Sequence, residues 1–197
     1  MTDANLSMKE MKQKAGHQEV LGETLAKFEF FESGWHPYTR FLDVDKVDLI
    51  LRRRLPGGIV YREVQVKFGK LFECKSGWDK LLFSFSSFRF FSEKNLDDMT
   101  KQKGLFLAYV LSPDGGFKGD MFIFPIDDFA KIVRMSIKSG NSKYKVYISR
   151  KLGNEPHWFV RRQSKKFNII DGGSTVEVTS YYRDFQCLEP PPRRSNI

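Results

Sequence analysis

The sequence of 197 residues contains little cysteine and little histidine. Its two cysteines, Cys74 and Cys187, are far apart, and neither belongs to a Cys-x-x-Cys pair, so a zinc site is not expected. The three histidines are scattered along the chain and are expected to pack or to cap rather than to bind metal. Unpaired thiols are typical of a reducing compartment, and we therefore expect a cytoplasmic protein.

Long apolar runs and an excess of acidic residues are also missing. Residues 1–16 are polar and lack the apolar segment of a signal peptide, and no run is long enough to cross a bilayer. No basic amphipathic helix stands out, so a membrane partner is not expected. Lys and Arg number 33 against 24 Asp and Glu, which gives a net charge of +9. This balance suits a polyanion such as DNA, because cationic side chains displace the counterions of its phosphates.

Two strand-like runs, at residues 47–51 and 61–67, flank a Pro-Gly-Gly break at residues 56–58 that predicts a turn. Side chains alternate between the two faces of a strand, so Gln65 and Lys67 share one face of the second run. The opposite face of that run is mostly valine. Each run therefore has an apolar side and a side that carries polar groups.

The register of this hairpin decides whether its polar groups meet. If residues 52 or 53 lie opposite residues 59 or 60, Asp48 lies nearly opposite Gln65 or Lys67. A slip of one residue would move Asp48 to the valine face. An ordinary amphipathic hairpin with a solvated charged face gives the same pattern. Ile50 on the polar face, and long apolar runs elsewhere that can cover it, favour a covered site.

This arrangement resembles the PD-(D/E)XK nuclease superfamily, the restriction-endonuclease-like fold. In that group an aspartate at the start of a strand is followed, across a hairpin, by Glu, Asp or Gln, any residue, and Lys. Gln65-Val66-Lys67 fills the second element, and its glutamine is similar to the QxK variant of Mrr-type restriction enzymes. The resemblance covers roughly residues 17–110.

The resemblance implies a role for each residue of the motif. Asp48 ligates a metal ion directly, Gln65 supplies a side-chain oxygen, and Val66 contributes its main-chain carbonyl. Lys67 orients the attacking water or stabilises charge in the transition state. Glu23, on the helix before the hairpin, reaches the site directly or through water. The implied cofactor is Mg²⁺ or Mn²⁺.

The glutamine departs from the usual carboxylate of the family. Because Gln65 is neutral, the site loses one negative charge and is expected to bind Mg²⁺ more weakly. Glu63 lies on the same strand face, two residues away, and is the candidate to compensate. The substitution also leaves open a domain of this fold that no longer cleaves.

The order of predicted elements indicates an α/β fold with an αβββαβ core, a mixed central sheet and flanking helices. The expected elements are a helix over residues 20–31, a strand over 35–41, the hairpin, a loop over 68–77, an extended segment over 78–91, a helix over 92–99 with Ser92 as N-cap, strands over 105–111 and 120–125, and a helix over 126–135. We expect a flexible segment at 1–16, the core at 17–138, a strand-rich extension packed on it at 139–188, and a tail at 189–197.

Basic and aromatic residues alternate beyond residue 140. Basic side chains set the register of a protein on the phosphate backbone, and aromatic rings can stack on exposed bases. The same aromatics also suit a β-sheet core. The predicted phosphate contacts, including two in the loop after the hairpin, are Lys70, Lys75, Arg161, Arg162, Lys165 and Lys166.

These patterns together predict a DNA endonuclease that hydrolyses phosphodiester bonds with a metal-activated water. DNA is the expected partner, and a homodimer is plausible because cutting both strands needs two sites. One alternative is a catalytically degenerate nucleic-acid-binding domain of the same fold. Another is a structural or protein-interaction domain in which the charged hairpin face is ordinary surface.

Overall fold

The computed structural model describes residues 8–39, 46–75, 77, 79–113, 119–139, 143–162 and 175–191. The helices are α1 (Met8–Glu32), α2 (Glu93–Thr100) and α3 (Ile126–Arg134). The strands are β1 (His36–Thr39), β2 (Leu49–Leu55), β3 (Gly58–Lys70), β4 (Phe72–Glu73), β5 (Phe83–Ser92), β6 (Leu105–Ser112), β7 (Asp120–Pro125), β8 (Ile137–Ser139), β9 (Lys143–Lys151), β10 (Trp158–Arg161) and β11 (Thr175–Glu177).

The first sheet has the strand order β1-β2-β3-β6-β7 and is mixed. Only the central pair β3 and β6 is parallel, and the other neighbours are antiparallel. The elements α1, β1, β2, β3, α2 and β6 follow the predicted αβββαβ order, with β4 and β5 inserted before α2. The predicted mixed α/β architecture is therefore confirmed.

The second sheet has the order β11-β10-β9-β5-β4, and β8 pairs with β9. Strand β5 pairs with β9 along nearly its whole length, from Phe83↔Lys151 to Ser92↔Lys143. The boundary expected near residue 138 falls inside β8, so segments on both sides of it build one sheet. The extension is thus joined to the preceding chain by the pairing of β9 with β5.

Two apolar cores lie on the two faces of the first sheet. One core contains α1 residues such as Leu25 and Phe30, packed on the valine face of β3. The other lies between the two sheets and α3, with Tyr109 of β6 and Trp158 of β10 fully buried in it. Burying one large apolar side chain contributes about 1.5–3 kcal/mol to the stability of the fold. Because both faces of the sheet bury such side chains, the orientation of the valine face and of the opposite face is fixed.

Three boundaries differ from those expected. Helix α1 begins at Met8, inside the segment predicted to be flexible. The predicted loop over 68–77 contains the end of β3 and all of β4, which pairs with β5. The hairpin strands run on to Leu55 and from Gly58, so the turn consists of residues 56 and 57 alone. The predicted N-cap is confirmed, because the Ser92 hydroxyl accepts a hydrogen bond from the Asn95 amide.

Gly22 seats α1 on β3, and a pair of alanine variants tests this seat. A Cβ at Gly22 would lie 2.8 Å from the Cβ of Phe68, which cannot swing away, whereas a Cβ at Gly16 would meet nothing within 4 Å. Alanine gains about 1 kcal/mol of helix propensity over glycine, so Gly16→Ala is expected to raise the melting temperature. Gly22→Ala is expected to lower the free energy of unfolding by about 1–3 kcal/mol. Thermal unfolding followed by circular dichroism measures both, and equal stabilisation by the two changes would contradict the seat.

Candidate functional site

The register of the β2–β3 hairpin brings Asp48 beside Gln65. The ladder runs from Leu55↔Gly58 to Leu49↔Val64, so one further step would pair Asp48 with Gln65. Asp48 stands just before β2, and its amide donates a hydrogen bond to the Val64 carbonyl over 3.0 Å. The expected proximity is therefore found, and no slip has moved Asp48 to the valine face.

The carboxylate of Asp48 is held by the main chain of β3. Its Oδ2 accepts a hydrogen bond from the Val66 amide over 2.6 Å. Such charge-assisted bonds are short and roughly twice as strong as neutral ones. Because the carboxylate takes the place of a ladder partner where β2 has ended, its orientation is fixed by the sheet.

Gln65 is a polar residue that is almost completely buried. Its side chain is only 4% accessible, although it faces away from the valine core. Its Oε1 is buried and has no hydrogen-bond partner among the residues that the structure describes. An unsatisfied buried acceptor costs about 1–3 kcal/mol, and natural proteins rarely keep one without a reason.

Asp48, Gln65 and Lys67 line one cavity of about 330 Å³. The cavity lies between the end of the hairpin, α1, β5 and the start of α2. The described residues that line it are Glu19, Lys46, Asp48, Gln65, Lys67, Arg89, Phe90, Phe91, Asn95 and Met99. A neighbouring cavity of about 140 Å³ shares Glu19, Lys67 and Arg89. The motif residues are thus gathered in a polar recess that is accessible to a ligand.

Glu23 approaches this recess from α1 without lining it. Burial raises the pKa of Glu23, and the nearby charge of Asp48 raises it further, while Lys27 and Lys67 lower it. Its Oε2 lies 3.9 Å from the Lys27 Nζ. Glu23, the helical acid predicted from the sequence, is therefore close enough to interact electrostatically with Asp48 and Lys67. The carboxylates of Glu23 and Asp48 repel each other unless they share a cation.

Several lining residues escaped the sequence reasoning. Glu19 precedes Glu23 by one helical turn, a spacing that places both side chains on one face of α1. Lys46 donates a hydrogen bond to Asp98 over 3.3 Å. Arg89 donates one to the Phe68 carbonyl over 2.8 Å, which fixes β5 across the end of β3. No local sequence pattern predicts that Arg89 lines the recess, because the position of Arg89 depends on how β5 pairs with β9.

Glu63 does not reach the recess. It pairs with Ile50, is exposed and is absent from the lining of both cavities. Two strand residues span about 6.6 Å, so a side chain on the same face as Gln65 still lies outside the pocket. The expectation that Glu63 replaces the missing carboxylate is therefore not supported, whereas Glu19 lines the recess and Glu23 lies near it.

The predicted phosphate contacts differ in their surroundings. Lys70, Lys75 and Arg162 are exposed, and the Lys75 Nζ lies 3.0 Å from Glu73. Arg161 is only 4% accessible, and its guanidinium donates to the hydroxyls of Ser149 and Ser86. Arg161 is a structural residue and not a surface contact. Lys165 and Lys166 lie outside the described residues.

The aromatics of the C-terminal strands are mostly core. Trp158, Phe159 and Tyr144 are buried, and the Tyr144 hydroxyl donates to Glu93 over 2.6 Å. Tyr147 stands on the opposite face of β9 and is half-buried. Burial therefore decides between the two roles expected for these rings, in favour of packing for all but Tyr147.

The remaining recesses and thiols do not suit phosphate chemistry. A groove of about 410 Å³ between α1 and β1 is lined mostly by apolar side chains, including Phe28 and Phe31. Cys74 and Cys187 are free thiols, and burial raises the pKa of Cys187 to about 12, which makes it unreactive. In the part of the chain that the structure describes, no helix is long and apolar enough to cross a membrane.

The donor set of the recess determines which ion it suits. Within the described ranges, no three His, Cys, Asp or Glu side chains group closely enough to hold a metal ion. The predicted ligands also include the side-chain amide of Gln65 and the main-chain carbonyl of Val66, which do not belong to those four side-chain types. Oxygen donors without thiol or imidazole suit Mg²⁺ or Mn²⁺, and the orphaned Oε1 of Gln65 is an acceptor that a cation would satisfy.

Comparisons with known proteins complete the description. No protein-family model matches the chain, and no curated protein is similar to it. Among solved structures, a bacterial homing endonuclease overlaps with 77% of this chain and 83% of its own, at 15% identity and a TM-score of 0.39. A similarity at this level carries no conclusion about activity.

Proposed function

We propose that this protein is a divalent-metal-dependent deoxyribonuclease that hydrolyses DNA phosphodiester bonds at the recess of Asp48, Gln65 and Lys67. One observation carries the proposal. The Oε1 of Gln65 is buried and has no hydrogen-bond partner among the described residues, and Gln65 lines the same cavity as Asp48 and Lys67. A bound cation would remove the cost of that unsatisfied oxygen.

The main chain supplies a further ligand in this proposal. The amide and carbonyl of one strand residue point to the same neighbour, so the Val66 carbonyl faces the Asp48 side as its amide does. Asp48, Gln65 and Val66 then give three oxygens, and Glu23 joins directly or through water. A site with this little negative charge is expected to bind Mg²⁺ or Mn²⁺ weakly until DNA phosphate adds its own oxygens.

Each side chain has a chemical task. The cation, when bound, supplies Lewis acidity and a water with a lowered pKa. Lys67 presents up to three N–H donors, which orient the attacking water or stabilise negative charge on the phosphate oxygens. Lys46 and Arg89 line the same recess and attract the phosphates on either side of the scissile bond. Asp48 keeps its orientation through the Val66 amide.

The test is an assay of the purified protein on linear, branched and single-stranded DNA with Mg²⁺, Mn²⁺ or EDTA. Cleavage is expected with either metal and not with EDTA. The expectation of a homodimer is tested on supercoiled plasmid, where linear product without a nicked intermediate requires two cooperating sites. DNA binding without cleavage under every condition would replace the nuclease by the degenerate binding domain.

Gln65 variants test the metal directly. Gln65→Met removes the orphaned oxygen, so without metal it is expected to melt at or above the wild-type temperature and to lose stabilisation by Mn²⁺. Gln65→Glu buries a carboxylate in the same place, which costs at least about 1–3 kcal/mol without metal, or a melting point lower by about 2 °C or more. Mn²⁺ is expected to raise its melting temperature more than that of wild type. Equal responses of all three proteins to Mn²⁺ would contradict a ligand role for Gln65.

A further inference from the structure

An exposed aromatic cluster occupies the outer face of the second sheet. It consists of Phe72, Phe88, Phe90 and Tyr147 arranged around Lys145. Phe88 pairs with Tyr147 and Phe90 with Lys145 across strands β5 and β9. Phe72, Phe88 and Phe90 are 37%, 45% and 46% accessible, which is unusual for phenylalanine when so much apolar core is available.

The rings contact each other and two cations, which are Lys145 and Arg161; the Cζ of Arg161 lies 4.8 Å from the centroid of the Tyr147 ring. Ring centroids lie 6.1 Å apart for Phe72 and Phe88, 6.1 Å for Phe88 and Phe90, and 5.6 Å for Phe88 and Tyr147. The Lys145 Nζ lies 4.7 Å from the centroids of both Phe88 and Tyr147, and 5.7 Å from that of Phe90. The cluster therefore combines exposed π-faces with a positive charge at its centre.

The aromatic cluster is continuous with the recess. Phe90 belongs to the cluster and also lines the cavity that holds Asp48, Gln65 and Lys67. Its neighbour Arg89 lines the same cavity from the other face of β5. A ligand lying across the cluster would therefore lead into the proposed active site along a single strand.

The chemistry of the cluster selects its occupant. A positive centre in a protein of net charge +9 attracts a polyanion, and the Glu73–Lys75 ion pair beside Phe72 adds no net charge. Aromatic side chains on a sheet stack on the bases of single strands, whose π-faces are accessible. In a duplex those faces are covered by neighbouring base pairs.

We propose that the aromatic cluster is a stacking platform for unpaired bases, so that the preferred substrate is single-stranded DNA or a single-stranded segment beside the cleaved bond. The platform rests on the proposed function for its link to cleavage. Lys145 neutralises a phosphate between stacked bases, and Phe90 directs the strand toward the recess.

The experiment measures binding of a fluorescein-labelled oligothymidylate of about 16 nucleotides, the upper site size of a single-strand-binding fold, in EDTA. Phe88→Leu/Phe90→Leu keeps two apolar side chains but removes both rings, and its affinity is expected to fall by about 10- to 100-fold. Phe88→Tyr/Phe90→Tyr is expected to retain the affinity. The matched control is Phe28→Leu/Phe31→Leu, which changes two exposed rings on α1 and is expected to change nothing.

Three outcomes would overturn the platform. These are wild-type binding to a duplex of equal length as tight as to the single strand, an unchanged affinity of the leucine variant, and an equal loss in the α1 control. Ring-dependent single-strand binding by a protein that cleaves no DNA would support the platform and refute the nuclease, so the two failures are distinguishable.

Discussion

A Lys67→Ala variant is expected to bind DNA but to cleave it about 100- to 1,000-fold more slowly than wild type. Lys67 follows Gln65 by two residues on β3 and lines the same recess as the Asp48 carboxylate. Its ammonium can stabilise negative charge that develops on the phosphate in the recess. Removing one such preorganised donor typically costs about 2.7–4 kcal/mol of transition-state stabilisation.

Single-turnover cleavage of a labelled substrate at saturating Mn²⁺ measures this loss, and thermal unfolding checks the fold. Lys67 is only partly buried, so the melting temperature of the Lys67→Ala variant is expected to stay within about 2 °C of the wild-type value. Lys131→Ala, which removes an exposed cation on α3, is the matched control and is expected to retain full activity. Cleavage at the wild-type rate by Lys67→Ala would remove this lysine from the mechanism.

An Asp48→Asn variant is expected to lose both metal binding and cleavage while keeping its fold. Asparagine retains a side-chain oxygen that can accept the Val66 amide, so the hydrogen bond of 2.6 Å keeps a partner. The negative charge, however, disappears. The affinity for Mn²⁺ is expected to fall by more than the roughly 10- to 100-fold that loss of an outer-shell partner costs.

Isothermal titration with Mn²⁺ measures the affinity, and the same samples are assayed for cleavage. Asp48→Ala separates the two roles of the carboxylate, which are to ligate the metal ion and to accept the hydrogen bond from the Val66 amide. Alanine leaves that amide without its acceptor, so Asp48→Ala is expected to be less stable than Asp48→Asn by about 1–3 kcal/mol. Asp127→Asn, at an exposed position in α3, controls for the loss of one negative charge. Unchanged Mn²⁺ affinity in Asp48→Asn would contradict direct ligation.

The core of the site was predictable because it depends on local rules. Alternation along β3 separates Gln65 and Lys67 from the valines, and the turn at residues 56 and 57 sets a register that brings Asp48 alongside. The order of helices and strands followed from the apolar periodicity in the same way. These features need only the nearest neighbours along one hairpin.

The rest of the recess depends on distant segments and gave no local signal. Arg89 reaches it because β5 is anchored by β9, about 60 residues later in the chain. Arg161 was misassigned for the same reason. Arginine is usually exposed, but Ser86 and Ser149 come together on two other strands and accept its hydrogen bonds. Sequence patterns do not reveal such buried partners.

Because β5 pairs with β9, the recess becomes complete only after a later part of the chain has been synthesised. A growing chain that has passed β3 already contains Asp48, Gln65 and Lys67, but the wall that carries Arg89 is anchored only by residues 143–151. Domains form as units while ribosomes extend the chain, and contacts between remote segments arise last. The recess would therefore be completed late in translation.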